Sequence, residues 1–193
     1  DKKLHRYVAL KSLKKDFLSN PAIVQNFILE ARITAQLDHP SIIPMYGIIR
    51  DHDSFIHMAM KLVQGHTLEE IIKDQSIECK RLNKLQLIEF EKQALYTRLT
   101  YFIKVCEALA YAHNKLVIHR DLKPENIMVG SFNEVYLMDW GIAKIMSDEA
   151  RDEENQKTKK SVSGTPGFIA PENILTGRVD FSCDQYALGA ILF

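Results

Sequence analysis

The sequence predicts an α+β fold with two lobes. Strand-like runs with a single helix among them come first in the chain, and helical segments dominate the rest. A loop-rich region with many polar side chains lies between these two parts. Segregated strands and helices of this kind are typical of α+β proteins, so we expect two lobes with the polar region between them.

The first predicted strand covers residues 6–13, where strand-forming residues predominate. Side chains alternate between the two faces of a strand. Ala9 and Lys11 therefore share one face, while Val8 lies on the other.

The next predicted element is a helix over residues 20–38, because Pro21 suits a first helical turn and Pro40 ends the pattern. Glu30 interrupts the apolar stripe of this helix. A buried carboxylate without a partner would cost about 3–5 kcal/mol. Glu30 therefore requires a cation facing it, and Lys11 is the candidate. The stripe consists of Ile23, Phe27, Glu30, Thr34 and Leu37.

Further elements follow in chain order. Gly65 interrupts the chain before Thr67, which has Glu70 three residues later and is a candidate helix N-cap. Residues 147–163 carry many charges and hydroxyls with little apolar content, which predicts a mobile segment. The other predicted elements are strands at 41–49 and 54–63, one helical stretch at 76–114, short strands at 116–119, 127–129 and 135–138, and the start of an apolar helix at 183–193.

Composition limits the classes of partner. The 25 basic and 25 acidic residues give a formal net charge of zero, so nothing in the charge balance favours nucleic acid or an anionic membrane as a partner. The sequence has no N-terminal signal pattern and no apolar stretch of membrane-spanning length. Its three cysteines have no metal-ligand spacing, which favours reduced thiols and a cytoplasmic location, although a parent protein could carry a membrane anchor outside this stretch.

Residues 119–126 read His-Arg-Asp-Leu-Lys-Pro-Glu-Asn and carry the strongest functional signal. A loop with Asp121, Lys123 and Asn126 at this spacing can direct a carboxylate, an ammonium and an amide carbonyl to one small volume. Phosphoryl transfer needs such a set, because a hydroxyl must be oriented, the moving phosphoryl stabilised and Mg²⁺ bound. The run resembles the catalytic loop of eukaryotic-type protein kinases.

Two further motifs extend this resemblance. Val8-Ala9-Leu10-Lys11 resembles the third-strand motif of kinases, which implies that Lys11 faces the nucleotide phosphates with Glu30 as its ion-pair partner. Taken alone, this tetrapeptide favours an ordinary surface lysine beside an unrelated helix glutamate, and the catalytic-loop motif downstream reverses that preference.

Residues 139–141, Asp-Trp-Gly, resemble the metal-binding triplet, with Trp in place of the usual Phe. The resemblance implies that Asp139 and Asn126 bind the metal. Both are hard oxygen ligands, which suit Mg²⁺ or Mn²⁺ better than zinc.

The segment from residue 164 to residue 172 ends in Ala-Pro-Glu, which resembles the close of a kinase activation segment. Together with Lys123, Thr165 implies specificity for serine and threonine. The candidate phosphorylation sites are Ser161 and Ser163, with Thr158 as a further candidate, and Arg120 is a candidate partner for the phosphate. An unmodified flexible loop is the alternative for these hydroxyls.

The resemblance also implies a nucleotide-binding site. Met60 corresponds to the gatekeeper and residues 61–63, which include Lys61 and Val63, to the hinge whose backbone bonds the adenine. The small Ala9 leaves room for the adenine ring, Val8 covers it from above, and Met128 forms the floor below. For Met60 and Met128, an ordinary core position is an equally compatible interpretation.

Three residues outside this set were also assigned from the sequence. Asp184 resembles the acidic residue that braces the backbone of the catalytic loop. His66 and His113 fit no ligand set, and we expect them to be surface or capping residues.

The resemblance covers essentially the whole chain and assigns residues 1–63 to the N-terminal lobe, from its third strand to the hinge, and 64–193 to part of the C-terminal lobe. None of the eight glycines forms the Gly-rich loop that the family carries before the third strand, and the last residues fall within the expected central helix of the C-terminal lobe. We therefore expect a partial kinase domain, truncated at both ends.

The leading hypothesis is ATP-dependent phosphorylation of Ser/Thr hydroxyls on proteins, including autophosphorylation through self-association, by a kinase of the bacterial Hanks-type (Pkn-like) group. A pseudokinase or scaffold fragment is the main alternative. The absent Gly-rich loop favours it, whereas five intact site residues argue against it. A small-molecule phosphotransferase is a third hypothesis, but it does not account for the Ala-Pro-Glu segment. The five intact residues are Lys11, Glu30, Asp121, Asn126 and Asp139.

Overall fold

The computed structural model describes residues 4–51, 55–146 and 163–193. Its first lobe is an antiparallel sheet of β1 (Val8–Ser12), β2 (Met45–Arg50) and β3 (Ile56–Lys61), with β3 in the centre. The register of β1 on β3 sets Ala9 opposite Met60. This pairing brings the predicted third-strand motif next to the predicted gatekeeper.

Helix α1 (Pro21–Gln36) packs against this sheet and begins where the sequence predicts. The side chain of Asn20 accepts hydrogen bonds from the amides of Ala22 and Ile23, so it is a regular N-cap. The stripe around Glu30 is confirmed, since this glutamate is only 8% exposed. The core of the lobe contains Leu13, Phe27, Ala31, Ile56 and Met58.

The second lobe contains two long helices where the sequence predicted one helical stretch at 76–114, so that prediction was wrong. Helix α2 (Leu68–Cys79) is followed by α3 (Lys84–Asn114). Each begins with a capping box, in which the N-cap side chain and the side chain three residues later satisfy each other's backbone amides. The predicted cap at Thr67 is confirmed, and Asn83 is the cap that divides the two helices.

Short strands surround the catalytic loop. The predicted strands are present as β5 (Val117–Ile118), β6 (Ile127–Gly130) and β7 (Val135–Leu137). Two more strands were not predicted, namely β4 (Gly65–Thr67), which pairs with β6, and β8 (Lys144–Ile145), which pairs with β5. The hairpin of β6 and β7 connects the end of this loop at Asn126 with the segment that begins at Asp139.

The chain then forms α4 (Pro171–Thr176), which was not predicted, and α5 (Ser182–Leu192). Gly177 ends α4 in a left-handed conformation with φ of 74°, which a glycine adopts at no steric cost. The predicted mobile segment at 147–163 lies, apart from Ser163, outside the described residues.

The main core joins the helices and strands of the second lobe. It includes Val105, Leu109, Leu122, Leu137 and Trp140, and Ile33 of α1 and Leu37 at its C-cap extend it into the first lobe. The fold is thus α+β with two lobes, as predicted. Residues 4–51, 55–146 and 163–193 contain no helix with both the length and the apolar character needed to cross a membrane.

Candidate active site

The catalytic loop brings Asp121, Lys123 and Asn126 together. The Lys123 Nζ atom lies 3.2 Å from Asp121 Oδ2. The Asn126 amide nitrogen donates to the backbone carbonyl of Asp121 at 2.8 Å and to its Oδ2 at 3.3 Å. Asn126 is 7% exposed, so its orientation is set by these bonds and by packing. The predicted spacing therefore produces one compact cluster.

Thr165 joins this cluster from a distant part of the chain. Its hydroxyl donates to Asp121 Oδ1 at 2.7 Å and accepts a hydrogen bond from Lys123 Nζ at 2.7 Å. The hydroxyl thereby links the carboxylate and the ammonium. One Asp121 oxygen is held by Thr165, while the other faces Lys123 and Asn126.

The backbone of the loop is strained and firmly held. Arg120 has φ of 70°, a left-handed conformation that non-glycine residues rarely adopt and that costs on the order of 1–3 kcal/mol. The carboxylate of Asp184, which is fully buried, accepts hydrogen bonds from the amides of His119 and Arg120, both at 2.9 Å. The predicted role of Asp184 as a brace is confirmed by this geometry.

His119 links the loop to residues 138–140, which include the predicted metal ligand Asp139. Its Nδ1 accepts from the Asp121 amide at 3.3 Å, and its Nε2 donates to the Met138 carbonyl at 2.9 Å. These two bonds assign the hydrogen to Nε2. The ring also packs against the buried indole of Trp140, with 4.6 Å between ring centroids. Trp140 thus serves as an apolar plug beside the loop, in the position where the family carries Phe.

Lys11 pairs with Glu30, as the apolar stripe of α1 predicted. The Lys11 Nζ donates to Glu30 Oε1 at 2.7 Å and also to Asp139 Oδ1 at 2.8 Å. The prediction of an ion pair is therefore confirmed. The structure adds that one ammonium bridges two carboxylates from opposite lobes.

The charges in this cluster shift one another's pKa values. Burial raises the pKa of Glu30 above its ordinary value, and the hydrogen bond from Lys11 does not offset this effect. Burial acts in the same direction on Asp139, but the bond from Lys11 outweighs it and lowers the pKa of Asp139. For Lys11, burial acts to lower the pKa, but the bonds to Asp139 and Glu30 outweigh it and raise the pKa. At neutral pH, Lys11 and Asp139 are therefore firmly charged.

A cavity of about 200 Å³ opens next to these charges. Five of the predicted site residues line it, which places the predicted phosphate-facing and metal-binding groups around one space. The cavity is lined by Lys11, Glu30, Thr34, Ile43, Met45, Met58, Met60, Asn126, Met138 and Asp139.

The other predicted nucleotide-binding residues do not line this cavity. Val8 and Ala9 lie on β1, opposite Lys61 and Met60 of β3. Lys61 donates its backbone amide to the Pro44 carbonyl at 3.0 Å, and its ammonium hydrogen-bonds the Tyr136 hydroxyl.

Met128 lies on β6 opposite Thr67 and Tyr136, and Val63 lies in the connection between β3 and β4. Contact of Val8, Ala9, Lys61, Val63 and Met128 with a nucleotide stays a prediction.

Asn126 and Asp139 fit a hard divalent cation. Lys11 donates to Asp139 Oδ1, and the Gly141 amide also bonds this carboxylate. The amide nitrogen of Asn126 faces Asp121, which leaves the Asn126 carbonyl oxygen for a cation. Within the described parts of the chain, no group of three or more His, Cys, Asp or Glu side chains is placed to hold a metal. A cation at this site would therefore take its other ligands from phosphate oxygens or water.

Sequence reasoning missed His113. It was expected to be a surface or capping residue, but its Nε2 hydrogen-bonds the buried Asp184 at 2.8 Å. No local pattern signals this contact, because the partners are 71 positions apart. The expectation for His66 holds, since its side chain is 71% exposed.

The candidate phosphorylation sites are only partly described. Thr158 and Ser161 lie outside the described residues. Ser163 is half-buried and lines a small pocket together with Arg120, its predicted partner.

Comparison with known proteins identifies the family of the chain. The family model for the protein kinase domain matches residues 1–193. The chain is 38% identical to the serine/threonine-protein kinase PknD of Protochlamydia amoebophila over 97% of its length, and 35% identical to PknD of Chlamydia muridarum over 100%. It is 36% identical to PknD of Chlamydia trachomatis, also over 100%.

These matches cover only part of the relatives. The chain spans 20% of the Protochlamydia protein and 22% of each of the two Chlamydia proteins. The family model nevertheless covers residues 119–126, 139–141 and 170–172, because it matches residues 1–193. The chain therefore belongs to the protein kinase family, within its Hanks-type serine/threonine branch.

Proposed function

We propose that the protein transfers the γ-phosphoryl group of ATP to serine or threonine hydroxyls of protein substrates. The observation that carries this proposal is the cluster of Asp121, Lys123 and Thr165, in which each side chain bonds or faces the other two within 3.2 Å. A binding module has no physical need for this arrangement, whereas phosphoryl transfer does.

Asp121 orients the acceptor hydroxyl and receives its proton. Its carboxylate is about four-fifths buried and held by Thr165, so it is oriented before the substrate arrives. The hydroxyl oxygen forms a bond to the γ-phosphorus as the bond between that phosphorus and the β,γ-bridging oxygen breaks. ADP leaves with the bridging oxygen, and the products are ADP and a phosphorylated protein.

Lys123 stabilises the moving phosphoryl group. Its ammonium lies between Asp121 and Thr165, where it can follow negative charge from the γ-phosphate to the new ester. Its position is fixed by two partners, so little reorganisation is required during the reaction.

Lys11 holds the α- and β-phosphates, with Glu30 as its support. The 2.7 Å bond from Lys11 to Glu30 keeps the ammonium at the edge of the cavity. Lys11 would exchange its bond to Asp139 for phosphate oxygens when the nucleotide enters. Asp139 would then be available for a cation.

We propose Mg²⁺ as the cation, with Mn²⁺ as a substitute, held by Asp139 and Asn126. When bound, the ion neutralises phosphate charge. The adenine would lie between Ala9, on the Lys11 face of β1, and Met128 below, next to Met60 and the backbone of residues 61–63. This assignment follows the family pattern and the pairing of β1 with β3.

The protein's wider context is also proposed. We infer a division into an N-terminal lobe at 1–63 and a C-terminal lobe at 64–193, with substrates binding near Thr165. Autophosphorylation through self-association and a cytoplasmic location for the kinase domain fit the family. We propose no nucleic-acid partner, since the net charge is zero.

Incorporation of radiolabelled phosphate from ATP and Mg²⁺ tests this function in the intact protein. Asp121→Asn is expected to remove incorporation into Ser and Thr, because it removes the proton acceptor. Asp74→Asn is the matched control, since Asp74 is an exposed residue of α2. Unchanged incorporation in Asp121→Asn, or none in the wild type, would refute the proposal.

A further inference from the structure

His113 contacts the catalytic loop through a buried carboxylate. It lies in the last turn of α3, and its Nε2 donates to Asp184 Oδ2 at 2.8 Å. The same oxygen accepts from the His119 amide, and the other oxygen accepts from the Arg120 amide. Asp184 thus connects a side chain of α3 with two consecutive amides of the loop.

The orientation of Asp184 depends on these donors. A buried carboxylate keeps its charge when hydrogen bonds replace the lost water. Burial acts to raise the pKa of Asp184, but the bond from His113 and the nearby His119 and amides outweigh it, so the pKa is lowered. Among the described residues, His113 provides the one side-chain hydrogen bond to this carboxylate.

His113 is itself held in place. Its ring packs against Phe181 with 4.8 Å between centroids, and the side chain is 19% exposed. Its location near the C-terminal end of a helix favours a cationic or donor group. The imidazole therefore presents its donor in one direction, toward Asp184.

The hydrogen bonds from the loop amides to Asp184 matter because they hold a strained part of the loop backbone in place. Arg120 is in the left-handed region, and the next residue is Asp121. Strained backbone persists only where surrounding contacts hold it. If Asp184 turns away, the amides of His119 and Arg120 lose their acceptor and the loop can relax, which displaces the Asp121 carboxylate.

We propose that His113 is a positioning residue for phosphoryl transfer, acting through Asp184 on the strained turn that delivers Asp121. This inference rests on the proposed function. It assigns a role to a side chain of α3 that contacts neither nucleotide nor acceptor. Its effect should fall on kcat, since the nucleotide cavity is lined by other residues.

The test compares His113→Met with His113→Gln in the intact protein. The two side chains have nearly the same length, but only glutamine has an amide donor. We expect His113→Met to lower kcat about tenfold with KM for ATP changed less than twofold, because misplacing a catalytic group slows chemistry. His113→Gln should retain kcat to within about threefold. His66→Met is the control on an exposed histidine.

Hydrogen exchange provides a readout that does not require activity. The amides of His119 and Arg120 should exchange at least about tenfold faster in His113→Met than in His113→Gln, because loss of a hydrogen bond promotes local opening. Circular dichroism establishes that each variant is folded. If His113→Met does not fold, His113→Phe replaces it, since the phenyl ring keeps the packing on Phe181 without a donor.

The outcomes separate this inference from the proposed function. An active wild type with equal kcat in the Met and Gln variants would overturn the role of His113 and leave the kinase function intact. An inactive wild type would overturn the proposed function itself, and the exchange rates would then show whether the His113 anchor exists. Unchanged exchange in His113→Met would overturn the anchor.

Discussion

The Lys11 Nζ atom lies 2.8 Å from Asp139 Oδ1, so two residues 128 positions apart in the chain share a hydrogen bond. Lys11 belongs to the sheet of the first lobe, and Asp139 follows β7 of the second. The bond therefore joins the lobes across the cavity. It also places the predicted phosphate-binding cation next to the predicted metal ligand.

Replacing Lys11 tests this link. Lys11→Met should raise KM for ATP and lower kcat/KM at least about 100-fold, since phosphate positioning and charge stabilisation are both lost. It should also destabilise the fold by about 1–2 kcal/mol, less than for a fully buried pair because Lys11 is 39% exposed. Kinetics and denaturant titration measure the two effects. Lys73→Met, which breaks only a surface pair with Glu69, should leave kcat/KM unchanged.

The pH dependence of nucleotide binding should report Glu30. Burial raises the pKa of Glu30 above its ordinary value, while the bond from Lys11 lowers the pKa of Asp139, so Glu30 takes up a proton at a higher pH than Asp139 does. Protonation removes the charge that holds Lys11, and ATP affinity should therefore fall as the pH is lowered into the acidic range. The raised pKa has the opposite effect on stability, because the penalty of the buried charge disappears as Glu30 is protonated.

Calorimetric titration of an ATP analogue between pH 7.5 and pH 5 measures this effect. Glu30→Gln should bind more weakly at pH 7.5 and show a smaller change with pH than the wild type. Equal pH dependence in the two proteins would assign the effect to the nucleotide phosphates instead of Glu30.

Thr165 offers a conservative test of the catalytic cluster. Thr165→Val removes the hydroxyl that bonds both Asp121 and Lys123, and we expect kcat to fall about 10–100-fold. Thr165→Ser keeps the hydroxyl and should retain most of the activity. Thr100→Val, which removes a hydroxyl bonded to the helix backbone, is the control. Equal rates in the Val and Ser variants would show that the hydroxyl is not required.

Two glycines test the fold independently of activity. A Cβ at Gly65 would collide with the carbonyl oxygen of Val129, so Gly65→Ala should destabilise the protein by about 1–3 kcal/mol. A Cβ at Gly189 meets nothing within 4 Å, and its helical position predicts that Gly189→Ala stabilises by about 0.5–1 kcal/mol. Thermal or denaturant unfolding measures both, and effects of the same sign would contradict the described packing.

The parts of the fold that could be predicted depend on local signals. Glu30 within an apolar stripe was sufficient to predict its pairing with Lys11, because burial of an unpaired charge is unfavourable. The division of the 76–114 stretch was missed, since residues 80–82 have ordinary helix propensity. Asn83 with Gln86 three residues later was the signal that could have located it.

Other features could not be predicted because they depend on tertiary contacts. Strand β8 has two residues and exists only through its pairing with β5. The bond from His113 to Asp184 requires α3 and α5 to pack side by side, and no pattern near His113 indicates it. For α4, local signals do exist, since Pro171 lies at its start and Gly177 at its end.

The central claim is that Lys11, Glu30, Asp121, Asn126 and Asp139 surround one metal-bound nucleotide triphosphate. The most direct test is the affinity for a non-hydrolysable ATP analogue with and without Mg²⁺, in the wild type and in Asp139→Asn. We predict that Mg²⁺ tightens binding to the wild type at least about tenfold and that Asp139→Asn loses this gain. No binding to the wild type, or a full Mg²⁺ effect in Asp139→Asn, would contradict the claim.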